Sequence, residues 1–178
     1  MNTLKADIIA RIRSVKLAVL DVDGVMTDGS LNYGPDGETI KTFNTLDGHG
    51  MKMLQHSGVA IAIISGRKSQ ALAKRASDLG IEHLYPGVDD KGRAFVELLN
   101  VLGLQAAQVA SIGDDVVDLP ILTRCGFAVA VPAAPAFVQT RVHYVTTAAG
   151  GHGAVREFCD LIMQAQGTQD AALAKYLQ

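Results

Sequence analysis

The sequence predicts a doubly wound α/β fold built around a parallel sheet. Its 178 residues contain four short apolar runs, each followed by polar or glycine-containing residues: 17–20, 59–64, 109–112 and 127–131. An apolar run without polar alternation is typical of a strand that is buried on both faces. Apolar residues at helical spacing lie between the runs, and alternating strands and helices favour a parallel sheet covered by helices.

The composition limits the classes of protein that this chain can represent. Hydrophobic residues make up 48% and charged residues 19%, an ordinary globular balance, and the length suffices for one core. We therefore expect one domain over residues 1–178. The formal net charge of −2 and the lack of a lysine-rich run indicate neither nucleic acid nor an anionic membrane surface as a partner.

The cysteines and the N-terminus indicate a cytoplasmic protein. Cys125 and Cys159 show no Cys-x-x-Cys spacing, which argues against a disulfide framework and against a thiolate zinc site. Residues 1–15 carry charges among their apolar residues and so lack the core of a signal peptide. No segment of the sequence reaches the length of a membrane span.

Apolar stripes predict the helices. Leu4, Ile8, Ile12 and Val15 recur at helical spacing, which indicates a short N-terminal amphipathic helix. Three further stripes predict helices between or after the strands: Leu72, Ala76 and Leu79; Phe95, Leu98, Leu99 and Leu102; Val155, Phe158, Cys159, Ile162 and Met163. In a sheet of this kind the chemistry gathers beyond the carboxyl ends of the strands, and the acidic residues of this chain fall there.

Two segments depart from the alternation of strand and helix. Apolar residues flank the turn-forming sequence Gly-Pro-Asp-Gly at 34–37, so we expect a projecting β-hairpin at about 30–43. The helical pattern fades after Gln164, and we expect a tail at about 166–178 that is mobile or held by a partner.

Two aspartates directly follow the first predicted strand. Asp21 and Asp23 stand two residues apart before Gly24, which lets the backbone turn sharply. A carboxylate can attack phosphorus and form an acyl phosphate, and a neighbouring carboxylic acid can protonate the leaving alkoxide. A capped turn explains this motif alone about as well, because aspartate and glycine are common in turns.

A second acidic group follows the strand that ends at Ile112. Asp114, Asp115 and Asp118 offer the hard oxygen ligands that Mg²⁺ requires, with Asp114 as the direct ligand. Asp115 or Asp118 would be an outer or an alternative ligand. Either of these two could instead cap the helix that starts near Pro120, and both interpretations can hold for different aspartates.

Two further elements offer contacts for a phosphate. Ser65 and Arg67 follow the strand at 59–64, where a hydroxyl and backbone amides at a helix N-terminus could hold a phosphate. The guanidinium would add a planar fork of donors. Lys91, at the start of a later predicted helix, could neutralise a phosphoryl group and the nucleophile. Each signal is weak alone, because such residues are common in solvated loops.

Taken in order, these elements resemble the haloacid dehalogenase phosphatase superfamily over residues 16–131. The resemblance implies that Asp21 is the nucleophile and that Asp23 is the acid/base, whose backbone carbonyl also reaches the metal. It implies that Ser65 and Lys91 complete the catalytic set by holding the phosphate. The implied Mg²⁺ residues are Asp21, Asp23 and Asp114.

Several segments resemble one family within that superfamily, the 3-deoxy-D-manno-octulosonate 8-phosphate phosphatases. They are residues 21–29, 46–54, 64–67, 113–120 and 150–156, within a resemblance over about 10–165. The resemblance implies release of phosphate from an eight-carbon acid sugar that is made for lipopolysaccharide. The implied substrate-binding residues are Asp23, Asn44, Thr45, Leu46, Asp47, Gly48, Arg67, Arg75 and Lys91.

The spacing between the motifs leaves no room for the large cap domain that many superfamily members carry. Residues 24–64 can hold only the hairpin and one helix, and 66–90 only one helix and one short strand. The family resemblance implies a capless homotetramer whose hairpins and tails cover adjoining active sites. Arg67 and Arg75 would then face the sugar carboxylate in a pocket lined partly by a neighbouring subunit.

Other interpretations of the sequence stay open. Leu46 stands where the family often has arginine, so a capless phosphatase for another acidic sugar, such as a nonulosonate 9-phosphate, is a second candidate. A signalling receiver domain also uses Asp, Lys and Mg²⁺, but it carries its phosphorylated aspartate after a later strand. An inactive, assembly-forming relative is disfavoured, because every catalytic position is filled.

Overall fold

A computed structural model describes residues 6–35 and 37–177. Within these residues the strands are, in chain order, β1 (Leu17–Leu20), β2 (Asn32–Gly34), β3 (Gly37–Ile40), β4 (Ala60–Ser65), β5 (His83–Pro86), β6 (Val109–Gly113), β7 (Phe127–Ala130) and β8 (Tyr144–Val145). The helices are α1 (Ala6–Arg13), α2 (Thr45–His56), α3 (Gln70–Leu79), α4 (Lys91–Leu102), α5 (Leu119–Leu122), α6 (Ala136–Gln139), α7 (Ala154–Gln166) and α8 (Gln169–Ala174). None of these helices combines the length and the apolar character needed to cross a membrane.

Six strands form one parallel sheet in the order β5-β4-β1-β6-β7-β8. The chain begins in the middle with β1, builds outward through β4 and β5, and then returns to the other side of β1 with β6. Leu20, the last residue of β1, is therefore aligned with Ile63 on one side and with Ile112 on the other. This change of direction opens a crevice at the carboxyl end of β1, where ligands bind in open α/β sheets.

The predicted doubly wound sheet is confirmed by the structure and by the order of its strands. All four residues of β1 are buried, as expected for a central strand covered on both faces. The apolar runs at 59–64, 109–112 and 127–131 become β4, β6 and β7, with bounds that differ by at most one residue. The apolar stripes predicted for α3, α4 and α7 supply buried residues of those helices.

The predicted hairpin is present as the antiparallel pair β2 and β3, with Tyr33 opposite Glu38. Asp36, in the predicted turn, lies outside the described residues, as does Leu4 of the predicted N-terminal stripe. Tyr33 and Ile40 are 63% and 62% exposed, so the hairpin offers apolar side chains to its surroundings. A two-stranded hairpin is marginal in water without further packing.

The tail predicted at about 166–178 follows α7, which ends at Gln166 and is closed by Gly167 with φ of +71°. It contains a further helix, α8, that the sequence pattern does not indicate. Ala172 and Leu173 of α8 pack against the core. These two residues are too few to give a visible stripe in the sequence, which is why the helix was missed.

The helix after β4 starts later than predicted. Ser65 and Arg67 were expected at a helix N-terminus, but α3 begins at Gln70 behind the cap residue Ser69. The Ser69 hydroxyl accepts the Leu72 N–H, and this local bond sets the start of the helix. Ser65 and Arg67 therefore lie at a strand end and in a loop, where the Ser65 hydroxyl accepts the Arg67 N–H at 3.2 Å.

Candidate active site

Acidic side chains from two adjacent strands meet at the carboxyl edge of the sheet. Asp21 follows β1, while Asp114 and Asp118 follow β6, which is paired with β1 in parallel register. Carboxylate oxygens of these three residues lie within 4.8 Å of one another. Residues far apart in the sequence therefore form one compact group of negative charge, in which Asp21 and Asp118 are buried.

The loop that carries Asp21 turns tightly against the second acidic segment. The N–H groups of Met26 and Thr27 both donate to the Val22 carbonyl, at 2.8 and 3.0 Å. Gly24 has φ of +84°, and a Cβ at this position would collide with the Asp114 carboxylate. Glycine is therefore required here both for the backbone conformation and for the approach of Asp114.

Lys91 joins the two acidic segments. Its Nζ lies 2.6 Å from Asp21 Oδ1 and 2.6 Å from Asp118 Oδ1, and its side chain is only 5% exposed. Lys91 is the first residue of α4, whose N-terminus is capped by Asp90. Burial alone would lower the pKa of Lys91, but the charges of Asp21 and Asp118 raise it, so the ammonium form is secure.

The single positive charge of Lys91 cannot neutralise all three crowded carboxylates. Burial, followed by the charge of Asp118, raises the pKa of Asp21 to about 8, even though Lys91 acts in the opposite direction. Burial and Asp118 likewise raise the pKa of Asp114 to about 6. Three acidic oxygens around one point with such pKa values fit a hard divalent cation, whose charge would favour the ionised forms.

The remaining aspartates shape the loop after β6. Asp118 Oδ2 accepts the N–H groups of Asp114 and Asp115, at 3.0 and 3.3 Å, while its other oxygen accepts from Lys91. Asp115 caps the 3₁₀ turn at 116–118 by accepting the Val116 N–H at 2.7 Å. The structure thus gives Asp115 a capping contact, whereas Asp118 both holds the backbone of this loop and belongs to the acidic group.

A cleft of about 260 Å³ opens above this group. Predicted site residues that line it are Asp21, Asp23, Ser65, Arg67, Lys91 and Asp114, together with Asp115. Ser65 lines the cleft although it is almost fully buried. The cleft is large enough for a phosphoryl group and part of a sugar, and it combines anionic and cationic sides.

The hairpin contributes residues to this site that the sequence analysis did not identify. Lys41 pairs with Asp23 Oδ1 and with Glu38 Oε1, the latter at 3.1 Å. Arg67 donates to Glu38 Oε2 at 3.3 Å and to the Tyr33 hydroxyl at 2.7 Å. No periodicity or motif marks Lys41 or Glu38 in the sequence, because their contacts depend on how the hairpin folds back onto the loop of Asp23.

Other predicted substrate residues lie away from the cleft. Asn44 caps α2, and Asp47 is 2% exposed and accepts the Arg156 N–H of α7 at 2.7 Å. Gly48 is also buried, and a Cβ there would collide with the Arg75 guanidinium. Asp47 and Gly48 thus have packing contacts in this protomer, and their role as substrate contacts stays a prediction.

Arg75 and the exposed start of α2 form a separate surface. Arg75 donates to the Asn44 carbonyl at 3.2 Å and lies over the Phe43 ring, 5.9 Å from its centroid. Thr45 and Leu46 next to it are exposed. These residues are not among those that line the cleft above Asp21.

The glycines at 150–151 pack closely against the loop that carries Asp21 and Asp23. A Cβ on Gly150 would collide with the Gly24 carbonyl oxygen, and Asn44 donates to the Gly151 carbonyl at 3.1 Å. Gly151 N–H donates to the Val25 carbonyl at 2.9 Å. The glycine-rich segment before α7 is therefore a close-packed platform for the catalytic loop.

The fold and the acidic cleft define the class of this protein as a haloacid dehalogenase-like hydrolase. A family model of that description matches residues 81–158. A 3-deoxy-D-manno-octulosonate 8-phosphate phosphatase of Yersinia pestis is 47% identical over 166 residues, which are 93% of this chain and 89% of the relative. The chain belongs to the family of 3-deoxy-D-manno-octulosonate 8-phosphate phosphatases.

Solved structures agree with this assignment. A probable YrbI family phosphatase from Pseudomonas syringae is 52% identical with a TM-score of 0.95, covering 98% of this chain and 99% of the other. The 3-deoxy-D-manno-octulosonate 8-phosphate phosphatase of Moraxella catarrhalis, in complex with magnesium, phosphate and the sugar acid, is 40% identical with a TM-score of 0.93. That match covers 96% of this chain and 98% of the other.

Proposed function

We propose that this protein is a Mg²⁺-dependent phosphatase that hydrolyses 3-deoxy-D-manno-octulosonate 8-phosphate, releasing the free sugar acid and inorganic phosphate during lipopolysaccharide synthesis. One observation carries the proposal: Lys91 bridges Asp21 and Asp118 at 2.6 Å each, next to Asp114, at the carboxyl edge of β1 and β6. A buried carboxylate held by a lysine beside an acidic cation site is suited to attack on a phosphoryl group.

Asp21 is the proposed nucleophile. One of its carboxylate oxygens attacks phosphorus, the bond between phosphorus and the sugar oxygen breaks, and an aspartyl phosphate forms. Lys91 holds Asp21 Oδ1 and limits its rotation, so that the attacking oxygen is aimed into the cleft. Ser65 and Lys91 are the proposed contacts of the phosphoryl oxygens.

Asp23 is the proposed acid and base. In the first step its carboxylic acid gives a proton to the departing sugar oxygen, which would otherwise leave as a strongly basic alkoxide. In the second step the resulting carboxylate removes a proton from water as the water oxygen attacks phosphorus, releasing phosphate and free Asp21. Asp23 lines the same cleft as Asp21 and is partly exposed, as a residue that exchanges protons with substrate and water must be.

The residues that would hold Mg²⁺ are Asp21 and Asp114 through their carboxylates and Asp23 through its backbone carbonyl. When bound, Mg²⁺ neutralises charge on the phosphoryl oxygens and favours the ionised nucleophile. Asp118 keeps the loop of Asp114 in place through the two backbone N–H groups that it accepts. Asp115 supports the same loop by its capping bond.

The substrate carboxylate needs a cation of its own, and Arg67 is the proposed partner. Arg67 lines the cleft, and its side chain is 38% exposed, so part of the guanidinium can be approached by a ligand. Arg75, with the exposed residues Thr45 and Leu46, does not line this cleft and is proposed to serve the site of a neighbouring subunit.

We further propose that the active protein is a cytoplasmic homotetramer. The exposed apolar side chains of the hairpin, Leu31, Tyr33 and Ile40, support burial against other protomers. Burial there would also cover a cleft that has no cap within the described residues, and it would bring Arg75 of one protomer toward the cleft of the next.

The test is a panel of sugar phosphates. Phosphate release is measured on the octulosonate 8-phosphate, a nonulosonate 9-phosphate and a neutral hexose 6-phosphate, first with Mg²⁺ and then with a chelator. We expect the highest kcat/KM on the octulosonate, loss of activity on chelation, and recovery when Mg²⁺ is restored. Activity that survives chelation, or a preference for the neutral sugar, would contradict the proposal.

The second candidate, a nonulosonate 9-phosphatase, rests on Leu46. This exposed leucine stands at a proposed substrate surface where a cation would be expected for the octulosonate. A higher kcat/KM on the nine-carbon substrate in the same panel would favour this candidate. The phosphatase chemistry at Asp21 would be the same in either case.

A further inference from the structure

A buried lysine from the hairpin reaches the proposed acid/base residue. Lys41, which follows β3, pairs with Asp23 Oδ1, and its side chain is only 2% exposed. We propose that Lys41 is a positioning residue that fixes the Asp23 carboxylate beside the leaving oxygen, and that Glu38 in turn fixes Lys41. This inference rests on the proposed function, because it takes Asp23 as the acid and base.

Lys41 is a buried lysine, and burying a lysine is costly. A buried ammonium is unfavourable unless it is paired, and lysine is rarely buried for packing alone. Lys41 meets two carboxylates, Asp23 and Glu38, which compensate the loss of water. One of these partners lines the active-site cleft, so the pair connects the hairpin directly to the site of reaction.

On the hairpin side of Asp23, charged side chains form a continuous network of ion pairs. Glu38 accepts from Lys41 through Oε1 and from Arg67 through Oε2, at 3.1 and 3.3 Å. Arg67 also donates to the Tyr33 hydroxyl, and its Nε lies 3.8 Å from the second oxygen of Asp23. Both oxygens of Asp23 thus face cations held by the hairpin, which restricts rotation of the carboxyl group.

Orientation matters for this group in particular. An acid must lie within hydrogen-bond distance of the oxygen that it protonates, and a misplacement of about 1 Å can lower the rate about a hundredfold. Asp23 stands on a turn and is partly exposed, and within the described residues the side-chain hydrogen bond of its carboxylate is with Lys41. Lys41 supplies the missing restraint.

Lys41 itself lies outside the cleft above Asp21. It lines a neighbouring cavity with Glu38, Lys68 and Ser69, whereas the lysine beside the nucleophile is Lys91. Lys41 therefore acts through Asp23 and does not belong to the phosphate contacts. Lys41 is therefore not a second phosphate-binding lysine beside Lys91.

The test compares Lys41→Met and Lys41→Arg on two substrates in the full-length, Mg²⁺-loaded enzyme. The sugar phosphate leaves as a basic alkoxide and needs the acid, whereas p-nitrophenyl phosphate has a good leaving group and needs it less. For Lys41→Met we expect kcat on the sugar phosphate to fall about 10- to 100-fold, within the range that acid–base catalysis contributes. KM should change less than about twofold, and kcat on the aryl phosphate less than about threefold, because the nucleophile is untouched.

Two matched variants sharpen the result. Lys41→Arg keeps a cation next to Asp23 and should recover a large part of the lost rate on the sugar phosphate. Lys68→Met removes an exposed positive charge that lines the same neighbouring cavity, and it should leave both rates unchanged. Glu38→Gln frees Lys41 without removing it and should give a smaller loss with the same substrate pattern.

Several outcomes overturn the inference. Equal losses on both substrates, a change confined to KM, or no loss at all would each exclude positioning of the acid. If Lys41→Met fails to assemble, the Glu38→Gln pattern decides, and equal losses there count against the inference. Failure of the proposed function would give a different result, because the wild-type enzyme would then be inactive on the sugar phosphate. The two failures can therefore be distinguished.

Discussion

At the scale of single residues, the site is governed by the competition between three carboxylates and one lysine. Asp21, Asp114 and Asp118 are close enough to repel one another, and Lys91 compensates only part of this charge. Each residue therefore has a different expected effect when it is replaced. Removing the nucleophile abolishes chemistry, whereas removing the cation ligand weakens binding of the metal.

Asp21→Asn keeps the shape of the side chain and removes the attacking oxygen charge. We expect phosphate release to fall more than about a thousandfold, as for other nucleophile replacements. The thermal unfolding temperature of the metal-free protein should not fall at neutral pH, because the raised pKa of Asp21, about 8, already favours its uncharged form there. Steady-state kinetics and calorimetric melting measure the two effects, and a variant with a large share of wild-type activity would refute the role of Asp21.

Asp114→Ala should weaken Mg²⁺ binding as well as activity. We expect the Kd for Mg²⁺ to rise at least about tenfold, because even outer partners of metal ligands change affinity about 10- to 100-fold. Glu97→Ala is the control, since Glu97 is an exposed carboxylate of α4 that does not line the cleft. Titration calorimetry that finds the same Kd for wild type and Asp114→Ala would exclude Asp114 as a ligand.

His143 is expected to make stability depend on pH. Burial, followed by the charge of Arg11, lowers the pKa of His143, and its Nδ1 accepts the Ala128 N–H at 2.9 Å, which requires a neutral ring nitrogen. The folded protein thus favours the neutral form. Its contribution is present above the unfolded pKa of about 6.5 and is lost as pH falls through that value toward the lower folded pKa.

The measurement compares denaturant unfolding of the wild type with His143→Gln at several pH values. Groups common to both proteins cancel in the difference. We expect the wild type to be the more stable at pH 7.5, with the difference shrinking toward pH 5. A difference that stays constant or grows on acidification would contradict this account of His143.

At the scale of elements, the most informative part of the chain is its C-terminal tail. Gly167 closes α7, and α8 lays Ala172 and Leu173 against the core. The same segment was expected to be mobile or to act as a cover for a neighbouring site. One truncation can test both the packing of α8 against the core and the role of the tail as a cover for a neighbouring active site.

Deletion of residues 167–178 removes α8 and the closing glycine of α7. We expect the unfolding temperature to fall by about 2–4 °C, which corresponds to about 1 kcal/mol in a protein of this size. The assembly should persist, while KM for the sugar phosphate or the rate of product release changes. Unaltered kinetics in a truncated protein of normal mass would show that the tail does not cover a site.

The sequence indicates those parts of the site that depend on strand order. Asp21 and Asp114 could be predicted because each follows an apolar strand, and carboxyl ends of parallel strands meet at one edge. Lys41 could not be predicted, because its contact with Asp23 depends on the angle at which the hairpin folds back. The buried contact of Asp47 with α7 could not be predicted either, because it arises only from tertiary packing.

At the scale of the whole molecule, the hairpins should determine assembly. Light scattering after size exclusion should give a mass of about 75 kDa, four times the 18.8 kDa of the chain. Ile40→Lys places a charge on an exposed apolar position of β3 and should dissociate the assembly and lower activity. Val101→Lys, on an exposed part of α4, should change neither property. A fully active monomer would refute the shared site.

The position of β1 at the centre of the sheet has a consequence for biosynthesis of the protein. The ribosome delivers Asp21 early, but the strand that places Asp114 beside it is β6, which emerges only after β4, β5 and three intervening helices. Long-range parallel pairing is slow, because loop closure precedes the contacts that reward it. A nascent chain therefore carries an aspartate with no cation site and no Lys91, so hydrolysis cannot begin before the topology of the sheet is complete.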